Sequence, residues 1–502
     1  MESKIKELKG RLVEINDLES ASAVLEWDQV TYMPPGGAGA RARQIRTLGK
    51  LAHEKFTDPV IGKLLDALRP YEESLPYDTD EASLIRVTRR DYEKAIKVPP
   101  SFMAELRSHI AASYVAWTKA RPADDFAAML PYLEKTIDLS RRFADFFAGY
   151  ACVADPVIDF FAREGRKVSE IRKLFGALRE QLVPMVKAIA AQPAPDDACL
   201  RQHFAKAKQL AFGLDVVKRV GYDLERGRED LTHHPFTTTF SLGDVRITTR
   251  VDENDLRGAL FSTLHEGGHA LYEQGISRTL EGTPLAKGTS GGVHESQSRL
   301  WENLVGRSRG FWEFFYPRLQ AVFPESLGSV SLETFYRAIN KVKPSLIRTA
   351  ADEVTYNLHI MMRFDLEQDL LEGRLAARDV PEAWRERFKA DMGIVPPDDR
   401  DGVLQDVHWF GYFLGAGYLG YTLGNIMSAQ FFEAALQAHP EIPTEIREGE
   451  FGTLLGWLRE NVYQPGRKYM APELVERATG RPLSIEPYTH YLCNKYVGLY
   501  RL

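Results

Sequence analysis

Residues 255–275 read DLRGALFSTLHEGGHALYEQG. Leu256, Leu260, Leu264 and Leu271 recur at the spacing of one apolar helix face. Asp255 stands where an N-cap carboxylate would accept from the first free backbone N–H groups, and Gly275 stands where helices commonly stop. The stretch is therefore predicted as a helix. Within it His265 and His269 are four residues apart, so their imidazoles lie one turn above the other and reach the same point in space. Two neutral ring nitrogens suit zinc. Glu266 lies about 100° round the helix from His265, close enough to exchange protons with a water at such a site without being a ligand. His-Glu-Gly-Gly-His is thus an HExxH pattern on a helical frame.

Gly267 and Gly268 occupy the helix interior, where each costs about 1 kcal/mol relative to alanine. Two readings stand side by side. The missing side chains let another element pack closely, or they keep the space beside the metal clear.

A catalytic zinc usually has three protein ligands and one open position, so a third ligand is required. The best candidate is Glu295, in residues 291–307, GGVHESQSRLWENLVGR. Ser298, Arg299 and Glu302 recur on its helical face. The result is a His-His-Glu site of the gluzincin type. His294 and Glu302 are the alternatives, and Glu302 is also suited to orienting a ligand from behind.

Outward from this centre, apolar residues recur at helical spacing through 1–27, 38–56, 102–119, 127–150, 167–191 and 333–373. Strand signals are scarce. The clearest is residues 235–251, PFTTTFSLGDVRITTRV, rich in Thr, Phe, Val and Ile and broken at Leu242-Gly243-Asp244, which predicts a hairpin. Loop punctuation at 33–37, 192–197 and 395–401 marks no long linker, and no internal repeat appears.

The 502 residues carry 64 Lys and Arg against 70 Asp and Glu, a net charge of −6 without a like-charge block, which argues against nucleic acid as partner. Cys152, Cys199 and Cys493 are far apart and fit neither a disulfide framework nor a thiolate metal site. The charged N-terminus, MESKIKELKGRLVEINDLES, does not read as a secretory leader, and cytoplasmic residence is expected. Residues 409–432, WFGYFLGAGYLGYTLGNIMSAQFF, hold no charge over a length that could span a bilayer. Five glycines, three tyrosines, Asn425 and Gln430 favour a buried wall of a soluble protein instead.

The HEGGH run followed by HESQ and WEN resembles the carboxypeptidase Taq family of metallocarboxypeptidases. Further segments carry the same resemblance: His234-Pro235-Phe236, the DxRxT run from Asp244 through Arg246 to Thr248, the IRTAAD run from Ile347 to Asp352, and the GxxQDxHW run containing Gln405, Asp406, His408 and Trp409. Trp27-Asp28-Gln29 and Met33-Pro34-Pro35-Gly36 resemble the family's early segment. The match runs in order from about residue 20 to the C-terminus.

The resemblance implies an all-α, mainly helical fold with a small β-hairpin or sheet near the active site. It implies one catalytic domain over 1–502, with two lobes flanking a deep cleft, and usually a homodimer. It further implies removal of single residues from peptides with a free C-terminus, with broad specificity, zinc as the metal and cobalt as a possible substitute. Glu266 would be the general base. A carboxypeptidase must hold the substrate's terminal carboxylate, which suits the planar fork of arginine. Arg348 is the first choice and Arg246 the second, the alternative for either being a structural ion pair. His234 and Gln405 are expected to assist substrate binding, and His408 or a tyrosine to stabilise the developing oxyanion. After Trp409 the chain departs from the family's SGGSFGYFPTYTLGN, so the tyrosine maps to Tyr418, with Tyr412 and Tyr421 as competitors. His53, His109, His203, His359 and His439 have no motif around them and read as surface or packing residues. The rivals are a zinc endopeptidase or oligopeptidase, which needs no carboxylate anchor, and a non-catalytic peptide-binding protein. A serine hydrolase has no GxSxG elbow to support it.

Overall fold

The motif stretch folds as a single helix, Leu256–Gly275, in the computed structural model, which describes residues 2–502. The Asp255 carboxylate accepts from Arg257 N at 2.9 Å, as an N-cap should. Leu264 and Leu271 are about 1% and 0% exposed, and each such burial stabilises the fold by about 2 kcal/mol. Gly275 does not stop the helix by a left-handed turn; it remains the last helical residue and the chain leaves it extended at Ile276. Its reason is packing, since an added Cβ would lie 2.4 Å from the ring of Tyr463.

Helices occupy Glu2–Thr31, Ala38–Phe56, Pro100–Ala120, Phe126–Asp145 and Val168–Ala190, close to the stretches read from periodicity. The stretch 333–373 is a correction. It is two helices, Leu332–Ile339 and Tyr356–Leu371, separated by a loop. Pro344 lacks the N–H a helix would need there. The Asp352 carboxylate instead takes the N–H groups of Lys343, Val354 and Thr355, which closes the loop on itself.

The hairpin forms where expected, with β2 at Thr237–Ser241 and β3 at Asp244–Thr249, antiparallel and joined through Leu242-Gly243. A third strand, β1 at Glu229–Leu231, pairs parallel to β3 and gives the order β1-β3-β2. β1 is too short to show a period in sequence.

Buried apolar residues from Ala120 to Tyr500 form the principal core, and a smaller cluster joins the N-terminal helices to Leu242, Ile276, Leu280 and Leu285. The uncharged stretch is the short helix His408–Gly411, a loop, and the start of the helix Leu419–Ala438. That long helix packs on Gly291–Arg299 as a buried wall. No helix among the described residues is long and apolar enough to cross a membrane. All three cysteines are free.

Candidate active site

The helices Leu256–Gly275 and Gly291–Arg299 approach until backbone nearly touches backbone. A Cβ on Gly268 would lie 2.6 Å from the Gln297 carbonyl oxygen and 2.7 Å from Ser298 Cα, and one on Gly267 would lie 3.0 Å from Val217 Cγ1. Close packing is therefore what the two glycines serve. Gly424 does the same from the other side, since its Cβ would meet Glu295 Cβ and Cγ at 2.7 Å.

That approach delivers Glu295 to the two histidines. His265 Nε2 and His269 Nε2 stand 3.8 and 3.6 Å from the same Glu295 Oε2. The donor atoms of the three residues all lie within 4.8 Å of one another. In a tetrahedral zinc site, neighbouring donors sit roughly 3.4 Å apart. The set of two imidazole nitrogens and one carboxylate oxygen therefore fits a divalent cation.

Each histidine is held from behind. His265 Nδ1 is 2.9 Å from Glu302 Oε2, on the π-helical turn Leu300–Val305 that follows the Glu295 helix. Burial works against charge on Glu302, but Arg299, His265 and Arg307 outweigh it and hold the carboxyl well below its usual range. Arg299 also donates from Nε to Glu295 Oε1 at 2.7 Å, which leaves Oε2 to face the histidines. His269 Nδ1 lies 2.6 Å from His294 Nδ1, and His294 Nε2 lies 2.8 Å from Glu273 Oε1. Burial, with His294 and His265 adjacent, pushes the His269 imidazolium far below the ordinary value, so the ring is neutral, the state that ligates metal.

Glu266 is buried beside this set, and its Oε2 accepts from Thr237 Oγ1 of β2 at 2.7 Å. Burial raises its pKa above the usual 4.5. The surrounding cleft, about 1100 Å³, is also lined by His234, Arg348, Tyr356, His408 and Tyr421. Arg348 is buried. Its Nε donates to Asp406 Oδ2 at 2.7 Å and its Nη1 to the Tyr356 hydroxyl at 3.0 Å, while Nη2 has no partner among the described residues. Asp406 also holds His408 Nδ1. Burial, followed by His408 and Arg348, lowers the pKa of His234.

The family model described as Carboxypeptidase Taq (M32) metallopeptidase matches residues 7–496. Thermostable carboxypeptidase 1 of Thermus thermophilus is 42% identical over 96% of both chains, and carboxypeptidase 1 of Bacillus subtilis is 37% identical over 99% of both. The chain belongs to the carboxypeptidase Taq family. The crystal structure of an M32 carboxypeptidase from Deinococcus radiodurans R1 superposes with a TM-score of 0.96 at 48% identity, covering 100% of each chain. As a carboxypeptidase Taq protein, this chain is a metal-dependent carboxypeptidase, and its fold is the mainly helical one expected.

Three residues assigned from the family motifs do not line the cleft. Arg246 is committed to Asp244 by two hydrogen bonds of 2.8 Å and packs over the rings of Trp27 and Phe240 at 4.5 and 4.9 Å. It is a structural ion pair. Thr248 of the same run clasps Phe236, donating to its carbonyl at 2.9 Å and accepting from its N–H at 2.8 Å, and so fixes the His234-Pro235-Phe236 segment. Gln405 is buried. Its Oε1 accepts from Arg348 N and Arg363 Nη2 at 2.9 and 3.0 Å, which positions the arginine loop without reaching the cleft. Tyr418 is 1% exposed, with its ring against the guanidinium groups of Arg348 and Arg363 and its hydroxyl unpartnered among the described residues. Of the competitors, Tyr421 is the one that lines this cleft.

Sequence reasoning assigns no role to Thr237, Glu273, Arg299 or Asp406. Arg299 and Glu273 each stand four residues after a proposed ligand, Glu295 and His269, so helical spacing carried a usable signal. For Thr237 no local signal exists, because its contact with Glu266 depends on how β2 lies across the helix.

Proposed function

We propose that the chain removes single residues from peptides with a free C-terminus, using zinc held by His265, His269 and Glu295. The observation that carries this reading is the convergence of His265 Nε2 and His269 Nε2 on one Glu295 oxygen, in the same cleft as the buried Arg348. Two nitrogens and one oxygen also admit cobalt.

Bound there, the cation would polarise the last peptide carbonyl and draw the pKa of a water towards about 7. Glu266, held at Oε2 by Thr237, takes the proton from the attacking water and returns it to the departing amine. Arg348 anchors the terminal carboxylate through its Nη2 side, with Asp406 and Tyr356 fixing the rest of the fork. Tyr421, which lines the cleft in the place that sequence assigns to Tyr418, supplies the hydroxyl donor for the developing oxyanion, and Asp406 fixes the ring of His408 beside it.

Mass spectrometry of a free peptide and its C-terminally amidated twin, with the metal-loaded protein and with a chelator, tests the proposal. The expected result is a ladder of single-residue losses from the free peptide alone, abolished by chelation. Internal cleavage of both peptides would establish an endopeptidase, and no cleavage of either would favour a binding protein.

A further inference from the structure

A second cavity of about 510 Å³ opens beside the metal-binding residues and shares Glu295 and Tyr421 with the main cleft. Its wall is apolar, from Met103, Leu106, Ile110, Phe161, Phe413 and Ala416. The wall is also built rather than incidental: the Phe413 ring lies tilted against Phe161 and Phe143, with centroids 5.0 and 4.7 Å away, all three meeting in one aromatic cluster. Phe161 leaves 43% of its surface open and Tyr412 leaves 50%, so the cavity opens to solvent at an apolar rim.

The two shared residues say which part of a substrate belongs there. A C-terminal residue runs from the metal, where its amide nitrogen adjoins the scissile carbonyl, to the arginine, where its carboxylate ends. Glu295 marks the first end, as a proposed ligand. Tyr421 marks the second, since the Arg348 guanidinium lies 5.6 Å from its ring. A cavity bounded by both opens along the length of the C-terminal residue, so it receives that residue's own side chain.

Charge on the wall disfavours an acidic side chain, and the apolar wall sets the rest of the preference. The buried Glu164 lies on the cavity wall, accepting from Gly292 N at 2.6 Å and Ser290 Oγ at 3.1 Å, and Glu295 supplies a second carboxyl. Arg107 also lines it but is solvent-exposed, where its charge is screened. We propose that this cavity is the specificity pocket for the C-terminal side chain and selects large apolar and aromatic residues. The proposal rests on the carboxypeptidase reading above.

The test uses two peptide sets, one varying the C-terminal residue and one varying the penultimate residue, with kcat/KM measured for the metal-loaded full chain. Peptides ending in Phe, Leu or Met should exceed those ending in Gly by roughly tenfold or more, the scale set by a few methylene groups in an apolar pocket. Gly417 lines the cavity, and a Cβ there meets nothing within 4 Å. Gly417→Trp should therefore fill the pocket, lowering kcat/KM for Phe-ending peptides about tenfold relative to Ala-ending ones. Phe161→Ala, at an exposed wall position, should reduce the same preference without blocking entry, and it decides the matter if the first variant does not fold. A uniform loss across all C-terminal residues, or a change that follows the penultimate residue, would overturn the pocket assignment while leaving the carboxypeptidase reading intact. Failure of the wild-type chain to shorten any peptide would overturn both.

Discussion

The Nδ1 atoms of His269 and His294 stand 2.6 Å apart, and only one of the two can carry the proton between them. The far side of His294 decides which. Its Nε2 is 2.8 Å from the Glu273 carboxylate, an acceptor only, so Nε2 carries a hydrogen and Nδ1 keeps its lone pair. His269 then donates from Nδ1 and turns the lone pair of Nε2 towards Glu295. Glu302 sets the same tautomer on His265 directly.

Glu273→Gln is expected to weaken metal affinity by roughly 10–100-fold, because an amide at that position no longer specifies the His294 tautomer. Competition with a chromophoric chelator measures it. The melting temperature of the metal-free protein should stay near that of the parent; unchanged affinity would refute the orienting role.

Glu266→Gln should keep the full metal stoichiometry and lose roughly 10²–10⁴-fold in kcat, the usual range for removal of a general base. Metal analysis alongside steady-state rates separates the two effects.

Activity should fall as pH drops through a value above 4.5, because burial raises the Glu266 pKa and the base works only when ionised. A group with a raised pKa gains its proton earlier on acidification, so the acidic limb of kcat/KM lies on the alkaline side of an ordinary glutamate. The residual activity of Glu266→Gln should lack that limb, and a limb that persists there would rule Glu266 out as its source.

Arg348→Lys should raise KM for free peptides and narrow their advantage over amidated ones, since lysine offers a point charge in place of a fork. Gln405→Leu should act at one remove. It orphans the buried Arg348 N and Arg363 Nη2, each costing about 1–3 kcal/mol when unpaired, and frees the half-buried Leu346 carbonyl, so thermal stability should fall with the rise in KM.

Gly268→Ala and Gly424→Ala should each destabilise the fold by about 1–3 kcal/mol through overpacking, and should also lower metal occupancy. Both press on the Glu295 helix, Gly268 through the Gln297 backbone and Gly424 through the Glu295 side chain. Calorimetry and metal analysis of the same samples check the pairing of the two losses.

The site was legible in the sequence wherever its geometry follows from one helix. The four-residue step between His265 and His269, the placement of Glu266 and the Asp255 cap are local consequences of helical pitch, and the structure has each of them. The alternating Thr, Val and Ile of 237–249 likewise identified the β2–β3 hairpin. Reading ended where a reason lay across the fold. Gly275 looked like a helix stop and is instead space for Tyr463. The stretch 333–373 looked continuous and is broken at the loop that holds Arg348. Arg246 and Arg348 are the same residue type, each in a family motif, and only packing separates the ion pair on Trp27 from the cleft arginine.

The sequence by itself determined the helices, the pair of histidines and the placement of Glu266 beside them, because these depend on periods of a few residues. Tertiary structure decided that Glu295 joins them, that His294 and Glu302 orient them, and that Tyr421 rather than Tyr418 lines the cleft. Those relations are fixed by how closely helices far apart in the chain approach, and that distance is set by residues without a side chain, such as Gly268 and Gly424, whose partners no local pattern names.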